Sequence, residues 1–172
     1  CMNVRMYECT NVRMCECANV RMHECANVRM YECMEEEMNF EEWKQGVPER
    51  IKADPQWKFY AYPKALFLYE LVWRDCEKLM QDRRGRAIAE QIIDSAGSIC
   101  ANIEEGYGRG IGTKSYLYFL RVAIGSARET KGWYFRSRRL LSAEVLEHRL
   151  ALADEIIALI ATEMARHQKS HS

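Results

Sequence analysis

From Ala65 to Gln168 the chain carries no proline, and apolar side chains recur at intervals of three and four almost throughout. Proline fixes φ and removes an N–H donor, so its absence leaves helices free to run the length of that stretch. The three prolines, Pro48, Pro55 and Pro63, all lie ahead of it. Runs that alternate β-branched and polar residues are few, so a sheet is not expected. The pattern predicts an all-α fold, an antiparallel up-down-up-down four-helix bundle over residues 62–168. A lead helix and connector would occupy residues 39–61.

The first bundle helix is expected from Tyr62 to Asp82, with a core stripe of Ala65, Leu68, Val72, Cys76 and Leu79. DRRGR ends it, with Gly85 as the C-terminal stop. The second helix, Arg86 to Glu105, buries Ile88, Ile92, Ala96, Ile99 and Ile103. Gly97 within it suggests that a neighbouring helix comes close. GYGRGIG follows as a turn. The third helix starts after Thr113, a fair N-cap, and reaches Leu141. At 100° per residue, Tyr116, Leu117, Leu120, Ala123, Ile124, Ala127 and Tyr134 share an arc of roughly 100°. The fourth helix opens at Ser142 and carries Val145, Leu152, Ile156, Ile160 and Met164 inward. Short joints favour antiparallel neighbours. A helical hairpin array opened for oligomerisation would share the same pattern.

Residues 1–38 are a different kind of sequence. Residues 3–34 are four copies of one octapeptide, NVRMYECT, NVRMCECA, NVRMHECA and NVRMYECM. A period of eight is short for a solenoid unit, and as a helix it drifts about 80° per copy, so no face stays apolar. As a strand its even period would fix the faces, but the strand would have nothing to pair against. Six of the eight cysteines sit here, with His23, yet only Cys15 and Cys17 are close together. Zinc sites use paired ligands two to four residues apart, so neither zinc nor a disulfide scaffold is expected. The repeat reads as a low-complexity extension outside the fold.

Catalytic machinery is missing from the sequence. GYGRGIG follows a helix and lacks both the dinucleotide spacing and the Gly-Lys-Ser/Thr ending of a phosphate loop. HExxH, GxSxG and Glu-x-x-His do not occur. His148 is expected on an exposed helical face with no nucleophile beside it. Asp94, Glu104 and Glu105 read as capping or pairing carboxylates, and Cys76 and Cys100 as buried reduced thiols. We therefore expect no enzyme activity, no cofactor and no metal. No apolar run reaches the roughly 18 to 20 residues of a membrane span, and the N-terminus lacks a signal-peptide layout, so a cytoplasmic location is expected.

Charge is the informative property. The chain is formally neutral, which by itself argues against a nucleic-acid partner. Between Gly106 and Arg139, however, eight basic residues face one acid, Glu129, a local charge of about +7. On a helical wheel Lys114, Arg121, Arg128, Arg136 and Arg139 share an arc of roughly 80° with Tyr118, opposite the apolar side. The strip is about 38 Å long, the scale of a phosphate backbone. With Arg109 these residues form the candidate contact set for RNA or DNA. A charged outer face is also ordinary solvated surface, and Glu90, Asp94 or Asp154 on neighbouring helices offer partners. A protein-interaction module anchored by Trp133 and Tyr118 is the competing function.

SICANIEEGYGRG, followed by KSYLYFLRVAIGSARET, resembles the bacterial four helix bundle protein family. That family includes proteins encoded in intervening sequences of 23S ribosomal RNA genes and the accessory variability determinants of diversity-generating retroelements. The resemblance covers about Trp57 to Ala161. It rests on Ser98, Asn102, Glu104, Glu105, Gly106, Tyr116, Phe119, Leu120, Ala123, Gly125, Ser126 and Glu129. It implies an antiparallel four-helix subunit without enzymatic activity. For the retroelement branch it implies a homopentamer that binds RNA and a reverse transcriptase. The same residues have structural readings. Gly125 and Ser126 would let helices approach closely, and Asn102, Ser126 and Glu129 would form a buried polar network that sets register. If the repeat is extraneous, deleting residues 1–33 leaves the melting temperature unchanged by scanning calorimetry; a large fall would show that it supports the fold.

Overall fold

The structure is a computed structural model that describes the backbone of residues 7–9, 12–14 and 38–169 and the side chains of residues 38–167. The chain divides into two units, Cys1–Met38 and Asn39–Ser172. In the first, strands β1 (Tyr7–Cys9) and β2 (Val12–Met14) pair antiparallel, Tyr7 opposite Met14 and Cys9 opposite Val12. The expectation that a strand here lacks a partner is corrected. Adjacent copies supply one another, the end of the first copy pairing with the start of the second. The rest of the repeat, including Cys15, Cys17 and His23, lies outside the described residues.

The second unit is helical: α1 (Phe40–Gly46), α2 (Glu49–Lys52), a 3-10 turn (Pro55–Lys58), α3 (Ala61–Leu79), α4 (Arg83–Gly108), α5 (Lys114–Ser137) and α6 (Ala143–Lys169). The four long helices pack as a bundle in which α4 touches α3 and α5, and α6 touches α5 and α3. Cross-helix contacts join the start of α3 to the end of α4 (Tyr62 to Glu104) and the end of α3 to the start of α4 (Cys76 to the Ala89 carbonyl). Tyr116, in the first turn of α5, reaches Glu163 near the end of α6, while Lys131 reaches Asp154.

Most of the stripes read from the sequence lie in the core, but Ile88, Ile124 and Val145, expected inside, are only half-buried at the margins of the helix contacts. Ala65, Leu68, Val72, Cys76, Leu79, Ile92, Ala96, Ile99, Ile103, Leu120, Ala123, Ala127, Ile156 and Ile160 are all buried. Each large aliphatic so enclosed contributes about 1.5–3 kcal/mol through surface removed from water. Burial also pushes the Cys76 thiol up to about 11 and the Cys100 thiol up to about 12, so both are protonated near neutral pH. The lead helix is held by rings: Phe40 and Trp43 both pack on Phe67 of α3, and Trp43 stacks on Trp57.

Helix ends differ from the sequence reading. Gly85 does not stop the first helix, which ends at Leu79; it lies in the first turn of α4, after the Asp82 N-cap. A Cβ on Gly85 would sit 2.1 Å from the Leu79 carbonyl oxygen, so the turn into α4 requires glycine. Gly97 does mark a close approach, its missing Cβ 3.3 Å from the Tyr69 ring. The third helix ends at Ser137, short of Leu141. Thr113 and Ser142 are N-caps, accepting from the amides of Tyr116 and Val145.

The least expected feature is a buried ionic group. Arg149 of α6 is 3% exposed and donates to both oxygens of Asp75 on α3, at 2.8 and 3.2 Å. Tyr134 of α5 donates to the same carboxylate at 2.7 Å. Burial and the Asp75 charge raise the Tyr134 hydroxyl well above the ordinary phenol range. His148 is half-buried rather than exposed, its ring edge-on to Phe67 and its Nδ1 2.6 Å from Arg149. A guanidinium only donates, so that Nδ1 accepts. Removing one partner strands a buried charge. Arg149→Met should lose about 3–5 kcal/mol of unfolding free energy in urea titration. Adding Asp75→Leu should restore most of it; a single variant as stable as wild type would contradict the assignment.

Candidate nucleic-acid interface

Helix α5 has two unlike sides. Tyr116, Leu120, Ala123, Ala127, Thr130 and Tyr134 are fully enclosed, and Thr130 donates to Ser95 of α4 at 3.0 Å. With that side fixed inward, the periodicity of the helix turns Lys114, Arg121, Arg128 and Arg136 outward. All four are exposed, and among the described residues none has a carboxylate partner. From Lys114 to Arg136 they span roughly 33 Å at 1.5 Å per residue. The neighbouring acids lie off the strip's centre: Asp154 takes Lys131 at 2.6 Å, and Glu90 and Asp94 form no ion pair with the strip.

Two members of the candidate set stand elsewhere. Arg139 follows the end of α5, in the turn to α6, so its wheel position no longer applies; it is exposed and without a carboxylate partner among the described residues. Arg109 caps the C-terminus of α4 and is paired with Glu105, Nε to Oε1 2.6 Å. A partly exposed pair of this kind is worth under about 1 kcal/mol, so an incoming phosphate competes with it readily.

Three arginines pack on aromatic rings, which the sequence reading missed. Arg109 lies 5.9 Å from the Phe119 ring centre, Arg136 4.4 Å from Trp133 and Arg138 4.5 Å from Phe135. The last two pairs are three residues apart, Trp133 and Arg136 within α5 and Phe135 with Arg138 at its C-cap, a spacing that does place side chains together. The first crosses the glycine turn, where Gly110 and Gly112 take φ of 93° and 81°. Trp133, expected as an exposed anchor, is half-buried beneath Arg136; Tyr118 is exposed.

The remaining motif residues do not form one network. Asn102 donates to the Ser98 carbonyl one turn back, and Ser126 to the Val122 carbonyl. Glu129 is exposed and accepts from Trp133 Nε1 at 3.4 Å. Each bonds within its own helix, because their positions do not face one another across the α4–α5 contact, where Ser95 and Thr130 meet instead. Glu104 accepts from Tyr62 at 2.9 Å. Gly106 is buried with its missing Cβ 3.4 Å from Phe119 and Tyr116, so glycine serves α4–α5 packing there. Gly125 does not: it is exposed, on the basic side, with nothing within 4 Å. Among the described residues no group of three or more His, Cys, Asp or Glu is arranged to hold a metal, and no helix is long and apolar enough to cross a membrane.

Residues 58–162 match the family model of the 23S rRNA-intervening sequence protein. The chain belongs to that family. A solved structure from Bacteroides thetaiotaomicron, a protein of unknown function from the S23 ribosomal protein family, is similar at 22% identity with a TM-score of 0.56. The similarity covers 60% of this chain and 97% of that one, and it supports the helical fold. No curated protein matches the chain. Neither the family nor the similar structure carries an enzymatic assignment.

Within this family fold Gly125 stands out, since nothing in the packing requires it. Gly125→Ala should therefore raise unfolding free energy by about 1 kcal/mol in urea titration, the helix propensity difference. A loss of stability would mean that a backbone contact absent from this structure needs the glycine.

Proposed function

We propose that this chain is a non-enzymatic RNA-binding accessory protein that holds phosphates along the outer side of α5. Lys114, Arg121, Arg128 and Arg136 form the line of contact, with Arg109 and Arg139 at its two ends. The observation that carries this reading is that the four cations on α5 are exposed and without carboxylate partners among the described residues. Surface cations already paired have much of their field cancelled; these keep theirs, in a chain whose net charge is zero. Phosphate contacts of this kind position a nucleic acid without reading its bases. Membership of a family named for ribosomal RNA intervening sequences favours RNA over DNA.

The helix pairings support an up-down-up-down subunit, which in this reading works in the cytoplasm as a homo-oligomer. Following the resemblance, a pentamer with a reverse transcriptase as a further partner is the arrangement we propose for the retroelement branch. Repetition of the strip around such a ring would multiply weak phosphate contacts into a stable complex.

About four phosphate contacts per subunit set the salt dependence. The logarithm of the association constant should fall with the logarithm of salt concentration at a slope near −3 to −4. Fluorescence anisotropy with labelled RNA measures it. Arg121→Glu combined with Arg128→Glu should abolish binding while far-ultraviolet circular dichroism stays unchanged. A flat salt response, or binding that survives the charge reversal, would instead favour a protein-interaction module.

A further inference from the structure

Exposed rings stand at both ends of the α5 strip. Tyr118 is 58% exposed near its start and Phe135 54% exposed near its end, separated by about 26 Å along the helix axis at 1.5 Å per residue. The guanidinium of Arg138 lies over Phe135, 4.5 Å from the ring centre, and donates to the Phe135 carbonyl at 3.0 Å, so ring and guanidinium are held together. Between the two ends run Arg121 and Arg128, exposed and without a carboxylate partner among the described residues. Gly125 lies between them, with no side chain to hold a backbone away.

Exposed aromatic rings and ordered guanidinium planes gain little from a duplex, whose base faces are already stacked on one another. Double-stranded RNA is recognised through its phosphates and 2′-hydroxyls. Unpaired bases, by contrast, stack on aromatic rings and arginine planes whatever their sequence. A second copy docked strip to strip is a poor occupant, since Arg121 and Arg128 would then meet the same cationic face.

We infer that α5 takes an unpaired RNA strand, with bases stacked on Tyr118 at one end and on Phe135 and Arg138 at the other, and the intervening phosphates crossing Arg121 and Arg128. This rests on the reading of α5 as an RNA-binding face and adds the conformation that the face selects.

The test uses the full chain with two labelled RNAs of equal length, an unstructured oligouridine and a perfect duplex, followed by anisotropy across a salt series. Oligouridine should bind more tightly than the duplex. Tyr118→Ala with Phe135→Ala should weaken oligouridine binding at least about tenfold and leave the salt slope unchanged, because stacking adds affinity without releasing counterions. Tyr118→Phe, which keeps the ring, should bind as wild type. Arg121→Gln with Arg128→Gln should weaken both RNAs and flatten the slope. The inference is overturned if the duplex binds as well as oligouridine, or if the aromatic variant binds normally while the arginine variant still fails; the RNA-binding face then stands. If neither RNA binds, or the arginine variant changes nothing, the RNA reading itself falls and takes the inference with it.

Discussion

Tyr116, Leu120, Ala123, Ala127, Thr130 and Tyr134 are sealed between α5 and its neighbours, and nearly everything functional follows from that burial. A helix that loses one side to the core has no rotational freedom left for the other. The side chains at the opposite angle, Lys114, Tyr118, Arg121, Gly125, Arg128 and Arg136, must face water. The Ser95–Thr130 hydrogen bond fixes the α4–α5 register. Lys131, at the edge of the strip, is close enough to α6 to find Asp154, whereas the residues along its centre are not. Packing thus sorts the cations of α5 into one that is neutralised by a neighbouring helix and a row that is not.

The bundle's second fixed point is ionic. Asp75, Arg149 and Tyr134 bring three helices to one carboxylate inside the core. Desolvating such a pair costs about as much as its attraction returns, so its value lies in specifying geometry. An apolar stripe tolerates sliding by a turn; an arginine with one buried carboxylate to meet does not. That constraint bears on α5 through Tyr134, which lies on the side opposite the basic strip.

Periodicity alone located the four long helices and much of the core, because stripes at three and four residues are strong over twenty or more positions, but it left out Phe67 and Leu71 and counted Ile88, Ile124 and Val145 as inside. It failed where one residue type serves two purposes. Gly85 looks like a helix stop and is instead a helix start beneath a carbonyl; Gly125 looks like a packing glycine and faces solvent. The end of the third helix was overrun because no stop signal separates Ser137 from Leu141, and Arg139 lost its place on the wheel with it. Asp75 and Arg149 are 74 residues apart, and no local pattern announces that pair. The arginines of the strip were legible, since their spacing follows the helix, while the freedom of their charges depends on where acids of other helices fall and only the fold reveals it. Arg109 against Phe119 is likewise a product of the glycine turn.

The proposed RNA contact on α5 can be mapped residue by residue. Photo-crosslinking the full chain to RNA carrying 4-thiouridine, with adducts mapped by mass spectrometry, locates that contact directly. Adducts should concentrate in peptides spanning residues 108–139. Adducts confined to α3 or α6, with α5 untouched, would contradict the central claim.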